Sequence, residues 1–271
     1  MENYENFITF GYWQYEVIRH AFGFTVAVFA ASLVYFGMTA NQAIQKYRTT
    51  FAISAVVMVS ATIEIFQLWL MWDRAFVWDE AIRQMVRVEG EIFSNGYRYA
   101  NWLIDVPMLL TQFLIVLQFT GRELFNRWWK LTGAGALMII LGYIGQYYEP
   151  QVAGFVEGSG APFWFWGLLS WLTFFGLLFM ANEAVKDGLP QLSPEARGAM
   201  TNAWKILVVS WFIYGFAYMV PAVPALAESD TFVVVRQLLY TFADVVSKTV
   251  FGVLLANVAI LQSRSESHAS G

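Results

Sequence analysis

The residues best able to do chemistry in this chain are an aspartate and a lysine in its last apolar segment. Asp244 and Lys248 are four positions apart, which on a helix places them about 40° apart on one face. A charge at the bilayer centre costs several kcal/mol, so each is a candidate functional residue. Two interpretations are open: a buried ion pair that only fixes packing, or a Schiff-base lysine whose charge Asp244 balances.

A second set of polar residues lies in the third apolar segment, RYANWLIDVPMLLTQ. Its members are offset by 3, 7 and 14 positions, which on a helix gives a stripe roughly 60° wide. Polar residues that only join helices would not need full charges, so the stripe indicates an ion path. It consists of Arg98, Asn101, Asp105 and Gln112.

The composition places these residues in a membrane protein. Only 13% of the 271 residues are charged and 58% are hydrophobic, whereas soluble domains carry about 25% charged residues. The chain has no cysteine, which excludes disulfides and thiolate sites. Its net charge of −4 and its lack of a basic aromatic cluster exclude nucleic acid as a partner. The expected partner is the lipid bilayer.

The apolar runs predict an all-α membrane protein with seven transmembrane helices, since a helix needs about 20 apolar residues to cross a bilayer. We expect one domain over residues 1–262 and a polar, disordered cytoplasmic tail at 263–271. A β-hairpin is possible between the second and third spans, and a short amphipathic helix is expected at Asn3–Phe10. The spans are predicted at Glu16–Ala40, Thr49–Asp73, Gly96–Thr120, Trp128–Tyr148, Pro162–Lys186, Ala196–Val220 and Asp230–Gln262.

The distribution of charged residues predicts the orientation of the chain. Basic residues flank the links after the first, third and fifth spans, and the opposite ends are mostly acidic. Because basic loops stay in the cytoplasm, the N-terminus is expected outside. The start, MENYENF, lacks the basic region of a cleaved signal peptide. Insertion is therefore expected to use the first span.

Two motifs resemble those of the microbial rhodopsins. The run from Arg98 to Trp102 matches the RY-x-x-W signature, and FADVVSK, which ends at Lys248, resembles the retinal-binding motif. Proton-pumping relatives have Asp, Thr and Asp at three diagnostic positions of this helix. Here those positions are Asn101, Asp105 and Gln112, which resembles the NDQ pattern of sodium-pumping rhodopsins.

This resemblance implies all-trans-retinal bound to Lys248 as a protonated Schiff base. Asp105 would be the nearer counterion and Asp244 the second. The side chains around the retinal and near the Schiff base would be Trp102, Trp211, Tyr214, Tyr218, Gly142, Ser247 and Ser60. Taken singly, the aromatic ones could equally belong to an ordinary core. The fold implied is the seven-helix microbial rhodopsin fold, in a bacterial inner membrane and commonly as a homo-oligomer, a pentamer.

The resemblance also implies outward transport of Na+ under light. Two like charges about 4 Å apart cost roughly 4 kcal/mol at an effective dielectric of 20, so a protonated Schiff base blocks a cation. Asp105 would take the proton and open the path, while Asn101 and Asp244 hold the ion briefly. Gln112 cannot donate a proton, which argues against a vectorial proton pump. Arg98 would screen the outer side.

A group of charges near the outer side resembles the ion-release cluster of the same family. It consists of Glu5, Glu149 and Arg236, and ordinary interfacial charge is an equal alternative. Two residues depart from the family pattern: Gly215, where a proline is common, and Glu64, where relatives are usually apolar. Glu64 is expected at the depth of Asp105, with which it could share a proton.

Other functions stay open at this point. One is an outward proton pump, or proton pumping when Na+ is scarce, and another is a photosensor. A receptor or transporter without retinal is the alternative from a different class, but it would have to explain a lysine at mid-membrane one helical turn after an aspartate. An enzyme is not expected.

Overall fold

The computed structural model describes residues 3–150, 158–227 and 229–269 of the chain. It consists mainly of long helices that pack side by side, with one β-hairpin. The elements are α1 (Tyr12–Thr39), α2 (Gln45–Ala75), β1 (Phe76–Asp79), β2 (Gln84–Arg87), α3 (Gly96–Val116), α4 (Gly121–Gln146), α5 (Gly160–Gly188), α6 (Pro194–Met219), α7 (Pro224–Ala227), α8 (Asp230–Asp244) and α9 (Phe251–Ala269).

The long helices confirm the expected helical membrane protein. Among the described residues, six helical segments are long and apolar enough to cross a membrane, the last of them running through α8 and α9. The exception among the seven predicted spans is α4, whose first turns carry charged side chains, including Arg122, Arg127 and Lys130. It begins at Gly121, well before the predicted Trp128. A seventh crossing by α4 therefore stays a prediction.

Helices that follow one another in the chain are mostly neighbours in space. Contacts join α1 to α2, α2 to α3, α3 to α4, α4 to α5 and α5 to α6, while α8 packs on both α6 and α1. The bundle is thereby closed, and its interior holds polar residues from α2, α3, α6 and α8. Because backbone polar groups are paired within each helix, the side chains alone decide the chemistry of this interior.

The predicted β-hairpin is confirmed between α2 and α3. Strands β1 and β2 are antiparallel, with Val77 opposite Val86, and Arg83 takes a positive φ of 54° in the turn. The backbone of Met85 also pairs with Phe10, so the hairpin holds the N-terminal segment against the bundle.

The N-terminal segment is shorter and more buried than the expected amphipathic helix. A 3₁₀ turn covers only Tyr4–Phe7, and Asn3, Glu5 and Asn6 are almost fully buried. The Asn6 amide donates a 2.8 Å hydrogen bond to the carbonyl oxygen of Phe93. These side-chain amides form hydrogen bonds with backbone groups of the loop before α3 inside the protein. The segment therefore packs into the end of the bundle and does not lie on its surface.

The last long helix changes geometry near its middle. A π-helical turn, Val245–Val250, separates α8 from α9. Helix α9 then continues to Ala269, so residues 263–269 do not form the disordered tail expected from their polarity. Ser263 is buried and donates a 2.6 Å hydrogen bond to the carbonyl of Ala259, one turn earlier in the helix. Residues 270 and 271 lie outside the described part.

Candidate functional site

Lys248 lies in the π-helical turn, and its amine meets residues from three helices. Such turns are uncommon and frequently mark functional sites. Its Nζ lies 2.8 Å from Asp244 Oδ1 and donates a 2.8 Å hydrogen bond to Asn101 Oδ1. Asp105 Oδ2 and Glu64 Oε2 lie 3.3 Å and 3.6 Å from Nζ. Residues predicted from three separate segments thus meet at one amine.

Arg98 is the second cation of this site. Its Nη1 lies 2.7 Å from Asp244 Oδ2 and 3.6 Å from Glu64 Oε1. Its Nη2 donates 3.3 Å hydrogen bonds to Gln237 and Thr241. Asp244 therefore lies between two cations, which is favourable for a buried carboxylate only because both are so close.

Short hydrogen bonds hold the remaining polar groups in place. The Asn101 amide donates to Ser60 Oγ at 2.7 Å, which orients its oxygen towards Lys248. Trp102 Nε1 and Tyr214 Oη donate to Asp244 Oδ1 at 3.2 Å and 2.8 Å. Tyr214 also shares a 2.8 Å hydrogen bond with Ser247 Oγ.

The charges of the site do not balance. Three carboxylates, of Glu64, Asp105 and Asp244, face two cations, and all five side chains are almost fully buried. Asp244 is nearer to the free amine of Lys248 than Asp105 is, at 2.8 Å against 3.3 Å. The reason is that Asp244 lies one turn before the lysine on the same chain segment, whereas Asp105 reaches it from α3. The order of these two counterions at a retinal Schiff base stays a prediction.

A cavity beside Lys248 has the lining expected for a flat apolar molecule. The predicted Gly142 lies on its wall, where a Cβ atom would come within 3.3 Å of Ser170 Oγ. Trp171, on α5, also lines the cavity. The other predicted members of the lining are Trp102, Trp211, Tyr214, Tyr218 and Ser247.

Gln112 lies apart from the group around Lys248. Its amide donates a 2.7 Å hydrogen bond to Ser54 Oγ on α2, and its Oε1 has no hydrogen-bond partner among the described residues. Both side chains are buried. The third member of the predicted NDQ pattern thus belongs to a separate polar pair between α2 and α3.

The predicted release cluster is assembled at the N-terminal end of the bundle. Arg236 donates to Glu149 through both terminal nitrogens, at 2.6 Å and 2.8 Å, and to Glu5 at 3.1 Å. All three side chains are buried. Burial raises the pKa of the Glu149 carboxyl, an effect opposed by the charge and hydrogen bonds of Arg236. The three side chains are therefore brought together as a buried ion-paired group, and their role in ion release stays a prediction.

Two amides that the sequence analysis missed connect this cluster to the central site. Gln237 donates to Glu5 at 2.6 Å and to Asn95 at 3.2 Å, and Asn95 also accepts a 3.3 Å hydrogen bond from Arg98. Gln237 lies seven positions before Asp244, on the same helical face. That spacing could have identified it, whereas Asn95 precedes α3 and gave no periodic signal.

In residues 3–150, 158–227 and 229–269, no group of three or more His, Cys, Asp or Glu side chains is arranged to hold a metal ion. The predicted sodium contacts, Asn101 and Asp244, instead both touch Lys248.

Comparison with known proteins decides the family. The sequence profile of the bacteriorhodopsin-like proteins matches residues 16–262. The chain belongs to this family, the microbial rhodopsins. The rhodopsin is 25% identical over 243 residues to the green-light absorbing proteorhodopsin of Gamma-proteobacterium EBAC31A08, covering 90% of this chain and 86% of that protein.

Solved structures agree with this assignment. Xanthorhodopsin, described as a light-driven ion pump with dual chromophore, shares 31% identity with a TM-score of 0.84, over 96% of this chain and 99% of that one. A thermophilic rhodopsin shares 25% identity with a TM-score of 0.83, over 95% and 98%. The protein is thus a multi-pass membrane protein of the microbial rhodopsin family, which binds retinal through a lysine.

Proposed function

We propose that this rhodopsin is an outward sodium pump that carries retinal on Lys248. The observation that supports this most directly is the 2.8 Å hydrogen bond between Nζ of Lys248 and the amide oxygen of Asn101. A neutral amide oxygen can accept this hydrogen bond and can bind a hard cation, but it cannot take the proton from Nζ. Proton movement and cation binding therefore involve different side chains.

The cavity beside Lys248 fits retinal. Its wall is mainly aromatic and apolar, and its polar members include Lys248, Ser247, Asp105 and Ser170. When bound, retinal supplies light absorption and a change of shape. Trp102, Trp211 and Tyr214 would hold its polyene, because large aromatic faces bury much apolar area and leave little room for other shapes.

Asp105 is the proposed acceptor of the proton on Nζ. Its Oδ2 lies 3.3 Å from that atom, close enough for a direct proton transfer. Once the proton has moved, Nζ no longer repels a cation, and two charges about 4 Å apart would have cost roughly 4 kcal/mol.

Asn101 and Asp244 are the proposed temporary sodium contacts once Nζ is neutral. Both point oxygens at the place that the ammonium charge occupies. The ion would then leave past Arg98 and Gln237 towards Glu5, along the hydrogen-bonded side chains that join the two clusters. Return of the proton from Asp105 to Nζ restores the barrier behind the ion.

The amide side chain of Gln112 favours sodium transport over vectorial proton transport. It replaces a carboxylic acid with an amide, and its partner is the Ser54 hydroxyl. Neither group gives up a proton near neutral pH. The pair can pass a cation by offering oxygen ligands, but it cannot resupply protons from the other side.

The proposal is tested by light-induced pH changes in a suspension of cells that contain the protein and retinal. In NaCl, we expect alkalinisation that a protonophore enhances, since protons follow the exported sodium passively. In KCl, this signal should be absent. Acidification in NaCl that a protonophore abolishes would contradict sodium export.

An outward proton pump is the second candidate. The direct approach of Asp105 to Nζ favours it, because this is the pairing that proton export requires. The same experiment separates the two candidates. Acidification in KCl together with alkalinisation in NaCl would identify a pump that exports protons only when sodium is scarce.

A further inference from the structure

A groove lies between the first turns of α4 and the last turns of α5, at the end of the bundle that the basic residues predict to be cytoplasmic. Its volume is about 540 Å³, which lies within the size range of ligand sites in proteins. Charged side chains form part of its wall, and Leu131, Phe179 and Met180 form an apolar part. The groove shares no lining residue with the cavity beside Lys248 and is a separate feature of the protein.

Two basic side chains of the groove have no acidic partner in the part of the chain that the structure describes. Arg122 and Lys130 lie on α4 with Asn126 midway between them, so that all three share one face of the helix. All three side chains are exposed. Within residues 3–150, 158–227 and 229–269, no carboxylate lies within ion-pair distance of either cation. Both cations are therefore available to an anion that comes from outside the chain.

The carboxylates at the groove already contact other cations. Arg127 Nη2 lies 3.0 Å from Glu123 Oε1 and 2.7 Å from Asp187 Oδ2. Lys186 Nζ lies 2.8 Å from Glu183 Oε1. Three acids are thus held in ion pairs with two cations, and these pairs lie within α4, within α5 or between the two helices.

The charge of this end of the α4–α5 pair matches a phosphodiester. Arg122, Lys130 and the two ion-paired cations face three carboxylates, which leaves one positive charge in excess. Arginine binds a phosphate through two parallel hydrogen bonds, and lysine binds it as a point charge. The amide of Asn126 can donate a further hydrogen bond between them. A zwitterionic headgroup fits less well, because it brings its own positive charge close to the two free cations.

Exposed apolar side chains continue from the groove along α5. Phe179, Phe175 and Leu172 lie on one face of this helix, and they are 67%, 50% and 59% exposed. Helix α5 is long and apolar enough to cross a membrane, so this exposed face is expected to contact acyl chains. A lipid whose chain lies on this face has its headgroup at the groove, whereas a free phosphate ion would contact only the polar part.

We propose that the groove between α4 and α5 binds one anionic phospholipid of the cytoplasmic leaflet. Its phosphate lies beside Asn126, within reach of Arg122 and Lys130, and one acyl chain runs along Phe179 and the exposed face of α5. Long basic side chains can contact an interfacial phosphate while their stems lie on apolar surface. This site does not depend on which ion is transported, so the proposal goes beyond sodium export and is independent of it.

The test is a lipid titration followed by native mass spectrometry. Delipidated, retinal-bound protein in detergent is titrated with phosphatidylglycerol or with phosphatidylcholine of the same acyl chains, and the dissociation constant of the first bound lipid is measured for each. Phosphatidylglycerol should bind more tightly by roughly tenfold or more, because each basic side chain near an anionic headgroup strengthens binding by about fivefold. Equal affinities for the two lipids would overturn the proposal.

Two double variants with the same change of charge locate the site. Arg122→Gln combined with Lys130→Gln should remove most of the preference for phosphatidylglycerol. Lys205→Gln combined with Arg264→Gln changes two exposed basic residues outside the groove and should keep the preference. A preference that persists in the first double variant, or disappears in the second, would contradict the assignment to this groove.

A third variant keeps every charge. Asn126→Trp places a large ring in the groove, so phosphatidylglycerol should bind more weakly. Because residue 126 is exposed, the temperature at which colour is lost should stay the same. Unchanged binding of phosphatidylglycerol by this variant would show that the lipid lies elsewhere and would overturn the proposal.

Inorganic phosphate distinguishes a lipid from a free anion. Millimolar phosphate, added against acetate of the same ionic strength, should leave the binding of phosphatidylglycerol unchanged, because phosphate gains nothing from the apolar side chains of α5. Displacement of the lipid by phosphate would identify a site for free anions and overturn the lipid assignment. None of these measurements requires light or transport, so this proposal and sodium export can fail separately.

Discussion

Asn101 and Lys248 are joined by a hydrogen bond of 2.8 Å between the amide oxygen and Nζ, and a 2.7 Å hydrogen bond to Ser60 fixes the amide in that orientation. A carboxylate at this position would compete with Asp105 for the proton on Nζ. The amide leaves Asp105 as the proton acceptor and keeps an oxygen available for a cation. Most of the proposed mechanism depends on this one relationship.

Lys248→Ala should abolish visible absorption. Without the amine, retinal has no covalent attachment, and the cavity retains only its apolar contacts. The measurement is the absorption spectrum after addition of all-trans-retinal to purified protein. Lys205→Ala, at an exposed lysine on α6, is the matched control and should absorb like the unaltered protein. A coloured Lys248→Ala protein would contradict the attachment site.

Asn101→Asp should weaken sodium transport and move the absorption maximum to shorter wavelength. The added charge stabilises the positive charge on Nζ and supplies a second proton acceptor. We expect sodium-dependent alkalinisation in light to fall at least tenfold, which corresponds to about 1.4 kcal/mol. Asn202→Asp, at an exposed position on α6, should leave both properties unchanged. Undiminished sodium export by Asn101→Asp would exclude a specific role for the amide.

Gly215→Ala should destabilise the protein and change the shape of the cavity. A Cβ at residue 215 would lie 2.3 Å from Cζ2 of Trp171, so the indole must move. Overpacking of this kind typically costs about 1–3 kcal/mol. The measurements are the temperature at which colour is lost and the absorption maximum. Retained colour at the original temperature and wavelength would show that Trp171 has space to move.

Two further variants separate packing from backbone effects at this position. Gly198→Ala lies on the same helix with open space around it, and alanine is favoured over glycine in helices by roughly 0.5–1 kcal/mol. It should therefore be neutral or slightly stabilising. Replacing Trp171 by Phe in the Gly215→Ala background should recover part of the lost stability, because the smaller ring makes room for the new methyl group.

Arg236→Gln should strongly destabilise the end of the bundle that holds the N-terminal turn. The change leaves the buried carboxylates of Glu5 and Glu149 without their cation, and breaking a buried pair in this way costs about 3–5 kcal/mol. Thermal loss of colour is the measurement. Adding Glu149→Gln should restore part of the stability, and Arg264→Gln, at an exposed arginine, should have no effect. A stable Arg236→Gln protein would show that the two acids are not held ionised by Arg236.

The sequence by itself determined the architecture and the membership of the central site. Apolar runs predict the helices because lipid leaves the backbone no other way to pair its polar groups. Helical periodicity places Asn101 and Asp105 on one face of α3, and Asp244 with Lys248 on one face of the last segment. Charges in apolar runs are expensive, so these residues are identified as functional before any contact is known.

Only the tertiary structure decided how these faces meet. Periodicity within one helix says nothing about the rotation and depth of its neighbour, which packing between helices sets. That packing sets the distances of Asp244 and Asp105 from Lys248 and places Glu64 between two cations. It also places the indole of Trp171 in the space left by Gly215. The burial of the N-terminal turn also depends on tertiary packing. Its side-chain amides form hydrogen bonds with the loop before α3, which lies far along the chain.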